Sequence, residues 1–287
     1  MMQRNAVIIL NYNNADETFK AVQHINSFLV VSQVVVVDNN STTQDYQKLV
    51  KRITLLASEK VKIIRSSKNG GYAQGNNIGL NYLDSKNFIG KVTIMNPDVY
   101  ITEINYNNLI ESFAYIDNPY AFVSPNNNEN DSHWDFTTVR KSLSYGIRHI
   151  PHTQNNDTSI KESGKFKFKK VDVLGGALLV ADMETWKQVG YFDPHTFLYF
   201  EEEILQFKAK AKRIYSYLIL NSIMIHKGQT STDQYSTTFK KITNYEIRLN
   251  TSRDYYFSHY LGAKKLDIFL NDLFRYVHMV IRIIKRK

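Results

Sequence analysis

Short apolar runs rich in Val and Ile alternate with longer segments of helical periodicity through the first hundred residues. An apolar run that is continuous rather than alternating is typical of a strand buried on both faces of a sheet. Such runs, separated by helices, favour an α/β domain with a largely parallel central sheet. We predict strands at residues 6–10, 33–37, 61–65 and 91–95, and helices at residues 18–28 and 75–83.

Residues 126–170 break this pattern, because Asn, Ser, Thr, His and Lys replace the apolar runs around Trp134 and Phe136. A loop this long in a compact domain is often functional, so contact with an acceptor is one interpretation and a surface insertion is the other. Ordered structure is predicted again at residues 171–182, in a helix at 183–189 and in a strand at 222–225. Neither an internal repeat nor a long linker is visible, which predicts one domain with a C-terminal appendage.

The composition excludes several classes of protein. With 287 residues, 43% of them hydrophobic, the chain can bury a full core, unlike a disordered or collagenous chain. The sequence contains no cysteine, which excludes disulfides, zinc–thiolate sites, iron–sulfur clusters and a thiol nucleophile. Any metal ion must therefore be held by oxygen and imidazole ligands. The first apolar run is too short for a signal peptide or a membrane span, so we expect the body of the protein in the cytoplasm.

The net charge of +9 predicts a partner that carries phosphate, which could be a nucleic acid, a nucleotide or an anionic membrane surface. The basic residues are spread along the chain or concentrated in its tail, and no nucleic-acid-binding motif is present. We therefore expect no nucleic acid partner, although a basic nucleic-acid-binding protein stays the alternative from another functional class.

The tail also carries an amphipathic pattern. Apolar residues such as Phe269, Leu273 and Val277 recur at steps of three and four, and basic residues occupy the other face. Asp267 and Asp272 interrupt the run, so a membrane span is not expected. A helix lying on an anionic membrane surface is one interpretation, and a helix packed on the domain or on a second subunit is the other.

Polar residues follow the predicted strands, at the edge where open α/β sheets bind ligands. Asp38, with Asn39 and Ser41 beside it, could accept hydrogen bonds from a nucleobase or a ribose, or could form an ordinary turn. Asp98, which follows Asn96 and a proline, offers a carboxylate oxygen to a divalent cation, again with a simple turn as the alternative.

Glycines recur every four residues in the segment 69–79, at Gly71, Gly75 and Gly79. This spacing keeps one side of a helix or turn bare, so that a diphosphate or another part of the backbone can approach closely. Glycines that serve only packing are the alternative. The pattern is neither G-x-G-x-x-G nor a P-loop, so a nicotinamide, flavin or Walker-type site is not supported.

Three carboxylates, Glu201 to Glu203, come directly after an aromatic run. Apolar surroundings and like charges raise the pKa of a carboxyl group, as a general base requires, whereas the alternative is a solvated helix N-terminus. His226 offers an imidazole at the end of the last predicted strand.

The order of these motifs along the chain resembles the family 2 inverting glycosyltransferases that use nucleotide-diphosphate sugars. The series is I-x-L-N-Y-N, V-V-D-N-N-S, N-G-G-Y-A-Q-G-N-N-I-G, M-N-P-D-V, L-G-G-A-L-L-V, G-Y-F-D-P, F-L-Y-F-E-E-E and H-K-G-Q-T-S. The resemblance covers roughly residues 6–260 and is closest to the branch of bacterial rhamnosyltransferases and galactofuranosyltransferases. It implies a GT-A fold, which is Rossmann-like with a mostly parallel central sheet flanked by helices, followed here by a C-terminal helical tail.

The resemblance implies a donor site and a metal site. Asp98 is carried over as a ligand of Mn²⁺ or Mg²⁺, and His226 matches a histidine that can complete that site. In this branch the acidic D-x-D motif is reduced to N-P-D, and Asn96 stands in place of the first acid. The residues implied in nucleotide-sugar binding are Asn11, Asp38, Asn39, Ser41, Asn69, Gly71, Gly75, Asn76, Asn96 and Asp98.

The resemblance also implies the catalytic residues. Glu202 stands where the family has its base, and Glu201 is implied as a supporting acid. Gly175, Gly176 and Glu203 are implied on the acceptor side. Glu replaces Asp at the base position and Ile204 replaces a later acid, so Glu203 could take over that acid's role, and a non-catalytic relative that only binds sugar nucleotide stays an alternative. Arg253 is a candidate for neutralising the departing diphosphate, and Asp193 for fixing the loop before the base.

We therefore expect a catalytic domain over residues 1–240, in which residues 1–100 bind the nucleotide sugar and residues 101–240 bind the acceptor. A basic amphipathic helical region follows at residues 241–287. The expected activity is transfer of a hexosyl or rhamnosyl group to a saccharide or lipid-linked acceptor in bacterial surface polysaccharide synthesis, such as capsule or cell wall. The expected location is the inner face of the cell membrane, and a homodimer is possible.

Overall fold

The computed structural model describes residues 4–127, 132–147, 160–228 and 238–284. The first half begins with three strands and helices in alternation, as the sequence pattern predicts. Its elements are β1 (Asn5–Asn11), α1 (Ala15–Asn26), β2 (Gln33–Asp38), α2 (Thr43–Leu56), β3 (Val61–Arg65), α3 (Gly71–Ser85), β4 (Lys91–Met95), β5 (Val99–Ile101), α4 (Glu103–Ser112) and a 3₁₀ turn at Phe113–Tyr115.

The second half is richer in strands than the sequence suggests and ends in two helices. Its elements are β6 (Ala121–Asn127), β7 (His133–Trp134), α5 (Val139–Ile147), β8 (Ile160–Ser163), β9 (Phe166–Val171), β10 (Val173–Leu174), β11 (Leu178–Asp182), α6 (Met183–Val189), α7 (Glu201–Ala211), β12 (Tyr215–His226), α8 (Thr238–His259) and α9 (Lys265–Ile284). The predicted boundary at residue 240 falls just inside α8.

A central sheet in the order β3-β2-β1-β4-β11-β6-β12-β9-β8 organises the molecule. The strands from β3 to β4 are parallel, as expected, but β11 is antiparallel to both of its neighbours. Only three residues separate β10 from β11, and Leu178 at the start of β11 pairs with Met95 at the end of β4. Because β11 enters the sheet at the edge where β4 leaves it, the two strands must run in opposite directions. The sheet is therefore mixed rather than mostly parallel.

The core lies on both faces of this sheet, as the continuous apolar runs predict. In β1, Val7 and Ile9 face one layer that includes α1 and α2, whereas Ala6 and Ile8 face the other layer. The second layer contains α3, α6 and α7, with Trp186 fully buried in it. The fold is thus an α/β sandwich of helices around one central sheet.

Residues 126–170 do not form one long loop, which corrects the prediction for this segment. The described part contains β7, α5 and the β8–β9 hairpin. In β9, Phe166 and Phe168 are buried while Lys167 between them is exposed. Alternate residues of this strand are therefore polar because they face solvent. The composition of residues 126–170 as a whole does not show this alternation. Residues 128–131 and 148–159 lie outside the described residues.

The two C-terminal helices pack on the domain, α9 against α5 and α8. In the part of the chain that the structure describes, no helix has the length and apolar character needed to cross a bilayer.

Candidate active site

The strand ends that carry the predicted residues meet at one edge of the sheet. The parallel strands β1, β2 and β4 end there at Asn11, Asp38 and Met95, and β11 begins there. The turn between β10 and β11 contributes Gly175 and Gly176 to the same edge. This is the position at which open α/β sheets bind ligands.

A buried network fixes the turn after β2. The Asn11 amide nitrogen donates to Asp38 Oδ1 at 2.9 Å and to Ser41 Oγ at 3.1 Å. Asp38 also accepts from the Ser41 backbone N–H at 3.2 Å and pairs with Arg65 across 3.3 Å. Asn11 and Asp38 are fully buried and Ser41 nearly so. In this structure the three side chains therefore support the turn beneath the site and present no surface to a nucleotide.

The Asn39 side chain ties that turn to the glycine-rich segment. Its amide nitrogen donates to Asn69 Oδ1 at 2.9 Å and to the Gly71 carbonyl at 3.0 Å, and its oxygen accepts from the Gly70 N–H. Asn76 is also buried, and its amide nitrogen donates to the Tyr72 carbonyl at 3.1 Å. Of the three asparagines, Asn69 is the one with a partly exposed side chain.

The glycines at 71 and 75 allow close packing, and their role beside a diphosphate stays a prediction. Gly71 has φ +80°, and a Cβ there would lie 2.0 Å from the Phe197 carbonyl oxygen. A Cβ on Gly75 would lie 2.5 Å from the Leu10 side chain. The Phe197 backbone thus fills the space beside Gly71. The Leu10 side chain of β1 fills the space beside Gly75, because helix α3 lies close to the sheet.

Asp98 and His226 come together because β5 pairs antiparallel with β12, with Val99 opposite His226. The His226 Nε2 atom lies 3.3 Å from Asp98 Oδ1. Asp98 is mostly buried, His226 is partly exposed, and the neighbouring Asn96 is held by its backbone N–H to the Ala177 carbonyl at 2.8 Å. The two predicted metal ligands are therefore adjacent.

A divalent ion fits this pair only with help from a ligand. The described residues contain no cluster of three or more His, Asp or Glu side chains that could hold a metal. Mg²⁺ and Mn²⁺ sites commonly use one or two protein ligands, with substrate phosphates and water supplying the rest. One carboxylate and one imidazole match that donor set, provided that a diphosphate completes it.

Glu202 lies at the start of α7, opposite Gly176. The Gly176 backbone N–H donates to Glu202 Oε1 at 3.2 Å, and the Tyr72 hydroxyl donates to the Gly176 carbonyl at 2.6 Å. Burial raises the pKa of the Glu202 carboxyl above its usual range. Burial together with the negative charges of Glu202, Glu201 and Asp98 also raises the pKa of Tyr72. The charge of Glu202, the predicted base, and the charge of Asp98, a predicted metal ligand, thus both raise the pKa of Tyr72.

The three glutamates of the cluster have different environments. Glu201 is buried, and its Oε2 atom has no hydrogen-bond partner among the described residues. Its burial, with the charge of Glu202 beside it, raises the pKa of Glu201 well above the usual range. Glu202 alone of the three is partly exposed. The geometry therefore leaves Glu202 as the carboxylate that can meet an acceptor.

Glu203 points inward, which corrects the expectation that it faces an acceptor or replaces the missing acid. It accepts hydrogen bonds from the Thr137 backbone N–H, from Thr137 Oγ1 at 3.1 Å and from Trp134 Nε1 at 3.4 Å. Burial raises the pKa of Glu203 to about 7 despite these donors. Successive helical residues are about 100° apart, so Glu203 cannot share the direction of Glu202. It anchors the segment around β7 to α7.

Gly175 and Gly176 differ in their neighbours. The Gly175 N–H donates to the Ser132 carbonyl at 2.7 Å, and a Cβ there would lie 3.3 Å from that oxygen. A Cβ on Gly176 would lie 2.5 Å from Glu202 Oε1. Gly176 therefore makes room for the candidate base, and Gly175 holds Ser132, the residue just before β7.

Arg253 does not reach the site, which corrects its candidate role with the diphosphate. It is fully buried and donates to Asp254, Asn250 and Asp272. Arg253 lies on α8, and its ion pair with Asp272 joins that helix to α9.

Asp193 fixes the loop that precedes the base, as expected. It accepts from the His195 backbone N–H at 2.9 Å, from the Tyr255 hydroxyl at 2.9 Å and from the Tyr260 hydroxyl. Burial alone would raise the pKa of Asp193, but these hydrogen bonds lower it to about 2. Tyr72, Thr137, Tyr255 and Tyr260 are supporting residues that sequence reasoning missed. Of these, only Tyr72 lies inside a motif that the sequence singled out.

Comparisons with known proteins identify what this arrangement resembles. The model of the family described as "Glycosyl transferase family 2" matches residues 6–174, more than half of the chain. A curated relative from Haloferax volcanii, the low-salt glycan biosynthesis hexosyltransferase Agl10, is 26% identical over 218 residues. The match covers 75% of this chain and 64% of that protein, so the chain spans less than two thirds of the relative's length.

Two solved structures share the fold. GalNAc-T7 with UDP, GalNAc and Mn²⁺ aligns at a TM-score of 0.60 and 14% identity, covering 96% of this chain and 55% of that one. The mannosyltransferase PcManGT from Pyrobaculum calidifontis, in complex with GDP-Man and Mn²⁺, aligns at 0.57 and 12% identity, covering 97% and 71%. At these identities the likeness establishes the fold, which is the expected GT-A type.

Proposed function

The chain belongs to glycosyl transferase family 2, and from this premise we propose that it moves a hexosyl group from a nucleotide-diphosphate sugar to a hydroxyl group of a saccharide or lipid-linked acceptor. The observation that carries the proposal is the position of Glu202, whose Oε1 atom accepts the Gly176 N–H at 3.2 Å at the ligand-binding edge of the sheet. A carboxylate that is partly exposed and has a raised pKa is suited to accept a proton from an acceptor.

The proposed reaction is a single displacement with inversion. Glu202 takes the proton of the acceptor hydroxyl as its oxygen forms a bond to the anomeric carbon. The bond from that carbon to the diphosphate oxygen breaks on the opposite face, and the departing nucleotide diphosphate keeps the electron pair. Glu202 ends protonated and returns its proton to solvent. The hydrogen bond from Gly176 holds the carboxylate in place during these steps.

Asp98 and His226 are the residues that would hold Mn²⁺ or Mg²⁺ together with the donor diphosphate, because their side chains lie 3.3 Å apart beside the site. A bound divalent ion supplies neutralisation of the charge that develops on the leaving diphosphate. The Mn²⁺ in the two solved structures with UDP or GDP-Man supports this assignment.

The finer features of the proposal come from the motifs and the relatives. A hexose donor is favoured by the name of the Haloferax volcanii relative, and the motif resemblance favours rhamnose or galactofuranose among such sugars. The same resemblance favours a role in surface polysaccharide synthesis, on the cytoplasmic face of the membrane. The nucleotide would be UDP, dTDP or GDP.

A non-catalytic binder of sugar nucleotide is the second candidate. Asn96 stands where the family motif often has an acid, so a metal ion would find one carboxylate fewer on the protein. Such a protein would bind a donor and would show no turnover.

Glu202→Gln separates the two candidates. For the enzyme, we expect transfer to fall about 10²- to 10⁴-fold, with donor binding by calorimetry unchanged. Glu184→Gln, a substitution of an exposed acid on α6, is the matched control and should behave as wild type. Equal transfer by Glu202→Gln and wild type would reject the base assignment, and donor binding by a wild type without turnover would favour the second candidate.

A further inference from the structure

Helix α9 carries an exposed apolar stripe. Leu266 is 65% exposed, Phe269 61%, Leu273 47% and Tyr276 62%. With Val277, which is also exposed, these residues recur at steps of three and four along the helix, so they share one face. We call these five residues the docking face. A helix on a soluble domain ordinarily turns such a face toward the core.

The polar side of α9 faces the protein instead. Asn271 is fully buried, and its amide nitrogen donates to the Asp267 carbonyl at 2.9 Å. Asp272 accepts from the buried Arg253 of α8 at 2.5 Å. Residues 271 and 273 are about 200° apart around a helix, so the burial of Asn271 places Leu273 on the side away from the domain. The Arg253–Asp272 pair ties α9 to α8 in this orientation, with the exposed apolar stripe outward.

The charge of this region favours one kind of partner for the docking face. Residues 264–287 contain seven Lys or Arg against two Asp, a net +5 out of the +9 of the whole chain. Lys264 and Lys265 are exposed at the start of α9. A second copy of the chain would bring two such basic segments together. A nucleic acid would match the charge but not an apolar face, whereas an anionic lipid surface matches both.

We propose that α9 lies flat on an anionic membrane surface, with the docking face in the boundary between lipid headgroups and acyl chains and the lysines on the lipid phosphates. Within the described residues no helix is able to span a bilayer, which agrees with a helix that lies in the interface.

The contacts of α8 connect this surface to the site. Arg253 joins α8 to Asp272 of α9, and its neighbour Ser252 donates to the Leu198 carbonyl at 2.9 Å. Leu198 belongs to the loop that leads into Glu201 and Glu202. Docking would therefore hold the loop before the candidate base at a fixed place relative to the membrane. The benefit of this placement for a lipid-linked acceptor rests on the proposed function, but the docking itself does not.

Flotation of the full chain with lipid vesicles tests the proposal. We expect binding to vesicles that contain phosphatidylglycerol, little binding to vesicles of phosphatidylcholine alone, and weaker binding as salt is raised. The double variant Phe269→Ser, Leu273→Ser should bind at least about tenfold more weakly, because it removes apolar groups that would insert. The matched control is Leu29→Ser, Leu55→Ser, which changes two exposed residues elsewhere and should bind as wild type.

Equal binding by the docking-face variant and wild type, or no binding of the wild type to anionic vesicles, would overturn the proposal. A wild-type dimer in light scattering that the docking-face variant abolishes would also overturn it, since a second copy would then cover the face. Calorimetric binding of a donor sugar nucleotide by the docking-face variant should equal that of wild type, so failure of docking and failure of the proposed function are separate results.

Discussion

Glu202 Oε1 accepts a hydrogen bond from the backbone N–H of Gly176 at 3.2 Å, and a Cβ on residue 176 would lie 2.5 Å from the same oxygen. The Tyr72 hydroxyl holds the other side of the residue through its carbonyl, at 2.6 Å. Residue 176 must therefore lack a side chain if the Glu202 carboxylate is to keep this position. The motif resemblance implies that Gly176 lies on the acceptor side, and in the structure Gly176 contacts Glu202, the candidate base.

Gly176→Ala should lower kcat by about 10- to 100-fold, because the new methyl group displaces the carboxylate by a large fraction of an ångström or more. Steady-state transfer kinetics measure this, and donor affinity should stay unchanged. Gly175→Ala, whose Cβ would meet the Ser132 carbonyl at 3.3 Å, should have the smaller effect. A Gly176→Ala enzyme with the kcat of wild type would contradict the role of this contact.

The pH dependence of kcat/KM should show an acid limb above the ordinary glutamate pKa of 4.5, since burial raises the pKa of Glu202. A base acts when it is deprotonated, so activity falls as pH drops through the raised pKa. Donor affinity measured at each pH shows whether the loss of activity comes from weaker donor binding or from protonation of Glu202. A profile that stays level down to pH 4.5 would rule Glu202 out as the titrating base.

Glu203 should make stability depend on pH. Its pKa is raised to about 7 in the folded chain, against an ordinary 4.5, so the folded state holds the proton more tightly. The free energy of unfolding therefore decreases as pH rises between these values, by about 3 kcal/mol from this residue. Urea unfolding across this range should show a smaller decrease for Glu203→Gln. Glu59→Gln, which changes an exposed acid, is the control, and equal pH dependence of Glu203→Gln and wild type would contradict the assignment.

Arg253→Ala should lower the free energy of unfolding by about 2 kcal/mol or more, because Arg253 is fully buried where α8 meets α9 and its removal leaves a cavity. Arg52→Ala removes an exposed pair with Asp16 and should cost less than about 1 kcal/mol. Chemical denaturation compares the two. A loss no larger for Arg253 than for Arg52 would show that the buried arginine contributes little to stability.

Local patterns predicted the first half of the fold well. The strands β2, β3 and β4 begin at the predicted residues and end within one residue of the prediction, because each is a short stretch rich in Val, Ile or Met that is followed by a polar segment. The direction of β11 was beyond such reasoning, since it depends on the edge at which the chain enters the sheet. The same holds for β9, whose buried Phe166 and Phe168 alternate with lysines.

The roles of several site residues could not be determined from the motifs alone. The spacing of Gly71 and Gly75 is the same whether a phosphate or a neighbouring backbone fills the space, so sequence could not choose between them. Adjacent acids in a motif look equivalent, yet the 100° step of a helix sends Glu203 into the core and leaves Glu202 at the surface. Arg253 looks like a surface cation in sequence, because its partner Asp272 lies on another helix.

Calorimetric titration with a panel of uridine, thymidine and guanosine diphosphate sugars, with and without Mn²⁺, tests most directly whether this edge of the sheet binds a glycosyl donor. One nucleotide should bind with Mn²⁺ present, and Asp98→Ala should weaken that binding about tenfold or more. Asp16→Ala, on the exposed surface of α1, should bind as wild type. If no sugar nucleotide binds in the presence of Mn²⁺, or if Asp98→Ala binds as tightly as wild type, the assignment of the donor and metal site is contradicted.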